Sequence, residues 1–233
     1  MKKLLFVLTG LIAVSVINAQ SLDDILKNYS AATRQDKLSK VSTIQITGKM
    51  SAMGMEMPMV MIMKNPNKIK VSYSFNGQEI VSLFDGEKGY MINPMMDSSE
   101  PVELTGEQLT QVQNNNVFNN QIDNYFKNGQ LTLEGQEDVN GKPAFKLKAN
   151  VDNNSIFMFI DEGSYLLVKT SAEVDQMGTV VSVDSYMTDY VDIDGVVMPK
   201  KTTAMANGME AAVISFDKIE VNLPIDDSVF KIK

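Results

Sequence analysis

The chain has 233 residues, 44% of them hydrophobic, with 21 basic and 29 acidic side chains and a formal net charge of −8. It contains no His, Cys or Trp, which excludes disulfides, thiol nucleophiles, histidine bases, the usual zinc sets and a cysteine-borne lipid anchor. The acidic balance argues against nucleic acid or an anionic membrane surface as a direct partner.

Residues 1–19 read as an export signal: Lys2 and Lys3, an apolar run from Leu4 to Ile17, and a cleavage site expected near Ala19. The run is short for a transmembrane helix and no stop-transfer pattern follows it. Loss of Lys2 and Lys3 would leave 19 basic residues against 29 acidic ones, a net charge of −10. The expected product is a soluble, exported monomer with one domain over residues 20–233.

Ser21 can cap a first helix whose opening turn carries Asp23 and Asp24, favourable at the positive end of the helix dipole. Leu22, Ile25, Leu26 and Tyr29 keep the spacing of one buried helical face, and the helix should end near Arg34. From Thr43 the period changes to two: Ile44, Ile46 and Met50 alternate with Thr43, Gln45, Thr47 and Lys49.

The stretch from Met53 to Met63 carries methionine at every second position, with a turn expected within Gly54 to Pro58. A period of two places these side chains on one face of a strand. Together with Met50, seven of the chain's 17 methionines fall within 14 residues. Methionine is unbranched and polarizable, so such a row either fills a core or makes an apolar face that moulds itself to varied shapes. Sheet cores ordinarily favour Val, Ile and Leu, which tilts the reading toward a binding face.

Asn65-Pro66-Asn67 supplies a turn, then Ile69, Val71, Tyr73 and Phe75 alternate with polar residues up to a hairpin at Asn76-Gly77. Strands over Gln78 to Phe84 and Tyr90 to Ile92 follow. Thr105 with Gln108 suggests a capping box before a short helix containing Leu109 and Val112, and Phe118, Ile122, Tyr125 and Phe126 keep helical spacing up to Asn128-Gly129. Strands resume at Leu131 and Leu133, then Phe145 to Ala149, Ile156 to Ile160, Tyr165 to Val174, Thr179 to Ile193, Val196 to Ala206 and Ala211 to Val221. Turn residues divide them at Asn140-Gly141, Asp152 to Asn154, Glu162-Gly163, Met177-Gly178, Asp194-Gly195 and Asn207-Gly208. The expected class is mainly β (α+β), about ten or eleven antiparallel strands that must curl or be covered, with one helix before them and a helical insertion in the middle.

Motifs for catalysis are missing from the sequence: there is no GxSxG elbow, SxxK or phosphate loop, so an enzyme is not expected. Asp189, Asp192 and Asp194 do not match calcium-loop spacing, and Asp194-Gly195 reads better as a turn; no metal or cofactor is expected. Asp226 and Asp227 read as a solvated turn.

The assembled features are LDDILKNYSAAT, a strand ending in GKM, KNPNKIKVSY leading to FDGEKGYMINP, the helical insertion and a closing PIDDSVFKIK. Over essentially the whole mature chain they resemble the outer-membrane lipoprotein-sorting proteins related to LolA. The resemblance implies a curved antiparallel half-barrel, with helices plugging its concave side over a hydrophobic cavity. It implies a periplasmic carrier of acylated lipoproteins or lipids, which takes cargo from an inner-membrane ABC transporter and hands it to an outer-membrane receptor. The receptor relative needs a lipid-bearing cysteine, so the soluble carrier is favoured. On this reading Met57, Met59, Met61, Met63, Val71, Tyr73 and Phe75 line the cavity, and Phe118, Ile122, Tyr125 and Phe126 form the underside of a lid. Carriers of this group use an early-strand arginine against the lid; here the nearest strands offer Lys49, Lys64, Lys68 and Lys70. Two other classes remain open: an envelope regulatory or sensor protein of the same fold, and a structural envelope protein whose methionines are only core.

Overall fold

A computed structural model describes residues 20–95, 100–151, 154–176 and 179–232. The expected export signal, Asp152-Asn153 and the Met177-Gly178 turn lie outside the described residues.

Ser21 caps α1 (Leu22–Ala32): its hydroxyl accepts from the Asp24 amide at 3.2 Å, and Asp23 and Asp24 occupy the first turn as expected. Thr33 closes the helix. Arg34 then adopts a left-handed backbone, φ 51°, and a second helix of one turn follows, α2 (Gln35–Leu38), too short for periodicity to reveal.

The strands β1 (Thr43–Ala52), β2 (Met55–Lys64), β3 (Lys68–Phe75), β4 (Gln78–Phe84), β5 (Gly89–Ile92) and β6 (Val102–Leu104) precede α3 (Gly106–Asn114) and α4 (Gln121–Lys127). After them come β7 (Leu131–Val139), β8 (Lys142–Val151), β9 (Asn154–Asp161), β10 (Leu167–Gln176), β11 (Thr179–Ile193), β12 (Val196–Ala206) and β13 (Met209–Val221), and a 3-10 turn over Asp227–Phe230 closes the described chain. They form one curved, unclosed antiparallel sheet of 13 strands, in the order β6-β5-β4-β3-β2-β1-β13-β12-β11-β10-β9-β8-β7. The insertion thus separates two meanders, and pairing of β1 with β13 joins them. The expected ten or eleven strands fall short of this count, in part because β6 has three residues after Pro101 and carries no readable alternation.

Tight turns set the register. Met53-Gly54, Asn76-Gly77, Asn140-Gly141, Asp194-Gly195 and Asn207-Gly208 all hold positive φ at both residues, the geometry whose twist matches paired strands. The turn expected within Gly54 to Pro58 is tighter and earlier than read: Met53-Gly54 alone makes it. Pro58 lies inside β2, just beyond the last β2–β3 pair, Met59 with Tyr73, an edge position that suits a residue with no N–H. Tyr165, expected in a strand, instead sits in the preceding loop at φ 56°, stacked on Phe145 at 6.0 Å between ring centroids.

The four α-helices lie on one face of the sheet, the inner face, where two apolar clusters form. The first joins Ile44, Ile46, Met59, Met63, Ile69 and Val71 to Leu38, Leu104 and Val112. The second joins Leu131, Phe145, Leu147 and Met158 to Ile25 of α1 and Ile122 of α4.

Candidate functional site

Cross-strand pairing places the methionine row at the centre of the first cluster. Met63 lies between Ile44 and Ile69, Met61 between Ile46 and Val71, and Met59 between Gly48 and Tyr73, while Met57 faces Met50. Met63 is 0% exposed and Met59 1%, with Met61 between them half-buried, and from Met59 toward the hairpin tip exposure rises: Met57 is 9%, Met55 43% and Met53 93% exposed. Val60 and Ile62 point to the opposite face, as a period of two requires.

Leu109 and Val112 of α3 and Val117 and Phe118 of the following link join the same cluster, with Met61 and Tyr73, and α3 itself lies over β4 and β5. Thr105 is the N-cap of α3, but its side chain makes no capping bond, so the expected capping box is not formed. The link is held by Asn116, 2% exposed. Its side-chain amide donates to the Lys68 carbonyl at 3.3 Å, and its oxygen accepts from the Phe118 amide at 3.0 Å.

The four aromatic and aliphatic residues expected on one lid divide between the two clusters. Phe118 joins the first cluster, to which the methionine row belongs, whereas Ile122, Tyr125 and Phe126 pack with Leu22, Leu26 and Tyr29 of α1 over β7–β9. Helical spacing showed that α4 has an apolar face; it could not show which part of the sheet that face meets. Phe75 lies on the inner face at the end of β3, half-buried, and belongs to neither cluster.

Between the clusters the inner face carries small side chains. One row of paired residues crosses the sheet: Met55, Ala52, Ala212, Ala204, Ser185, Thr170, Met158, Leu147 and Leu133. A neighbouring row runs through Ala206, Val183, Ala172 and Ile156. Ala52, Ala204, Ala206, Ala212, Thr170, Ala172, Val183 and Ser185 are all half-buried and belong to neither cluster. Sequence periodicity in β10–β13 did not single out this strip, because Ala, Ser and Thr carry little hydrophobic contrast.

Three of the four early-strand lysines spend their ammonium groups on carboxylates. Lys49 pairs with Glu56 at 2.7 Å, and Lys64 and Lys68 both grip Asp227, at 2.6 and 2.8 Å. Asp227 is therefore more than a solvated turn residue: it fastens the C-terminal segment to β2 and β3. Asp192 pairs with Arg34 at 2.7 Å and accepts from the Gly195 amide at 2.9 Å, a turn role in place of a cation site.

The environment between helices and sheet is apolar, and it acts on tyrosine hydroxyls. Burial pushes Tyr29 up to about 12 and raises Tyr73 as well, so both hydroxyls are held protonated. Burial, and secondarily Tyr29, raises Tyr190, whose hydroxyl donates to the Leu167 carbonyl at 2.6 Å. What the arrangement can do is exclude water from apolar matter placed under Phe118 or along the small-residue strip.

No family model matches the chain, and no curated protein does. Solved structures do. A DUF1329 family protein from Desulfovibrio piger matches with a TM-score of 0.62 at 13% identity, over 89% of this chain and 97% of the other. A LolA superfamily protein from Nitrosomonas europaea matches with a TM-score of 0.59 at 13% identity, over 92% and 99% of the two chains. A domain assigned to outer membrane lipoprotein sorting in Vibrio parahaemolyticus matches with a TM-score of 0.59 at 9% identity, over 89% and 94%. Among the described residues no helix is long and apolar enough to cross a membrane. The unclosed 13-stranded sheet with its helices on one face has the fold of the LolA superfamily and of outer-membrane lipoprotein-sorting structures.

Proposed function

We propose that this chain is an exported periplasmic carrier that shields the acyl chains of lipoproteins or lipids on the inner face of its sheet. The observation that carries the reading is the rise in exposure along β2 from Met59 to the hairpin tip: a methionine row that belongs to the first apolar cluster emerges onto a strip of half-buried small residues. Likeness of fold to lipoprotein-sorting structures supports it.

The energetics set the design problem. Each methylene removed from water is worth about 0.8 kcal/mol, so a 16-carbon chain represents roughly 12 kcal/mol that a carrier must nearly match and still release. Methionine side chains can refill the space when cargo leaves, because three soft torsions let them repack at small cost. Met57, Met59, Met61, Met63, Val71, Tyr73 and Phe75 would form the wall, and Phe118 the movable cover. Ile122, Tyr125 and Phe126 would hold the far side of the lid against α1. An inner-membrane ABC transporter as donor and an outer-membrane receptor as acceptor would complete the route.

Native mass spectrometry with solvent extraction, on protein purified from the periplasm without detergent, tests this. The expected result is near-stoichiometric lipid or acylated peptide. A clean protein mass, with no uptake of a fluorescent fatty acid, overturns the carrier reading and returns the methionines to a structural role.

A further inference from the structure

A cavity of about 680 Å³ opens beside the lid, with none of the row's methionines in its lining. Its polar lining comes from Asn67 in the β2–β3 turn, Gln113 at the end of α3, and Asn119, Asn120 and Asn124 around the start of α4. Phe84 and Phe118 supply an apolar wall. The volume falls within the usual range of small-molecule sites, about 300–1,000 Å³.

The hydrogen-bond balance of these amides is informative. Asn67 spends its amide on the Gly86 carbonyl at 3.3 Å, Asn124 spends its amide on Asn119 Oδ1 at 2.9 Å, and Asn120 Oδ1 accepts from the Asp123 amide at 3.3 Å. Among the described residues, Asn67 Oδ1, Asn124 Oδ1, Asn119 Nδ2, Asn120 Nδ2 and both ends of Gln113 have no protein partner; Asn67 and Asn124 are exposed and the other three half-buried, so these acceptors and donors face solvent and are open to a ligand. The lining carries no cation, and its single carboxylate, Asp123, is held by Lys127 at 2.6 Å.

We infer that this cleft binds an uncharged, hydroxyl-rich ligand, a neutral oligosaccharide. A hydroxyl both donates and accepts, so it satisfies amides that offer both from several directions, and the C–H face of a sugar ring suits a phenyl wall. An extended peptide would present its groups in a line and be read best along a strand edge. The neutral lining gives an anionic ligand no compensation for lost water. Because the cleft joins Gln113 and Asn119 of the lid to Asn67 of the sheet, an occupant would tie the two together.

The test uses an array carrying neutral oligosaccharides of two to four units, anionic oligosaccharides and uncharged peptides, probed with the labelled protein and followed by titration calorimetry. The expected result is retention of neutral oligosaccharides, weakened about threefold to tenfold by Gln113→Ala and by Asn124→Ala, as loss of one hydrogen bond predicts. Gln113→Glu, which keeps the size but removes the donors, should weaken it likewise, with thermal melting confirming that each variant is folded. Retention of nothing, retention of peptides or anionic glycans alone, or binding indifferent to all three variants overturns the inference. The array reads no lipid, so its outcome is independent of the carrier reading.

Discussion

Gly48 sits where β1 changes register against β13, and a Cβ there would come within 2.1 Å of the Ser215 carbonyl oxygen. Backbone cannot yield as a flexible side chain does, so Gly48→Ala should cost about 3 kcal/mol, seen as a fall in the urea midpoint. An unchanged midpoint would mean that the bulge relaxes freely. The sequence carries its signal: the inner-facing residues of β13, Ile214, Phe216, Ile219 and Val221, are spaced by two, three and two, and the three marks the extra residue Asp217. The alternation of β1 and β2, by contrast, gave the inward parity correctly, because a strand's side-chain period is geometric. Asp227 makes a different residue-scale case. Hydrogen bonds from Lys64 and Lys68 lower its carboxyl to about 2. A depressed acid stabilises the fold above its ordinary titration range and loses that contribution as pH falls from about 4 toward 2. Asp227→Asn should therefore flatten this part of the acid limb of a stability profile; an identical limb in the variant would show that the two lysines do not act through Asp227.

At the scale of elements, the hairpins were legible and the lid was only half so. Asn-Gly and Asp-Gly pairs announce their turns because few other residues accept two consecutive positive φ values. The helix pair in the insertion was legible as two apolar faces, but the division of labour between them was not. Periodicity encodes which side of a helix is dry and is silent on which cluster it joins. The structure places Phe118 in the cluster of the methionine row, on a link anchored by Asn116, and the carrier reading makes it the cover. Phe118→Ala should thus loosen the cover without dismantling the second cluster. The expected outcome is a loss of about 2 kcal/mol of stability, faster amide exchange in residues 105–120, and faster uptake of a fluorescent fatty acid. Unchanged uptake with faster exchange would show that the link moves but guards no cargo surface.

At the scale of the whole molecule, the sheet has two free edges, β6 and β7, and two covered ends on one face, with small residues between them. This arrangement asks little of the fold's own stability at its centre, since Ala52, Ala204 and Ala212 bury no large side chain there. Cargo laid along that strip would bury apolar area the protein itself leaves half-open, and would bind the folded state alone. Linkage then makes binding visible as stability: at a free ligand concentration one hundred times Kd the gain is about 2.7 kcal/mol. For a domain of about 200 residues each kcal/mol shifts the melting temperature by about 2–4 °C, so a saturating long-chain ligand should raise it by roughly 5–10 °C. The shift should grow with chain length, because each added methylene contributes about 0.8 kcal/mol until the strip is filled, and should then level off. A melting temperature indifferent to chain length would place any bound lipid on the outside of the protein and remove the inner face from the mechanism.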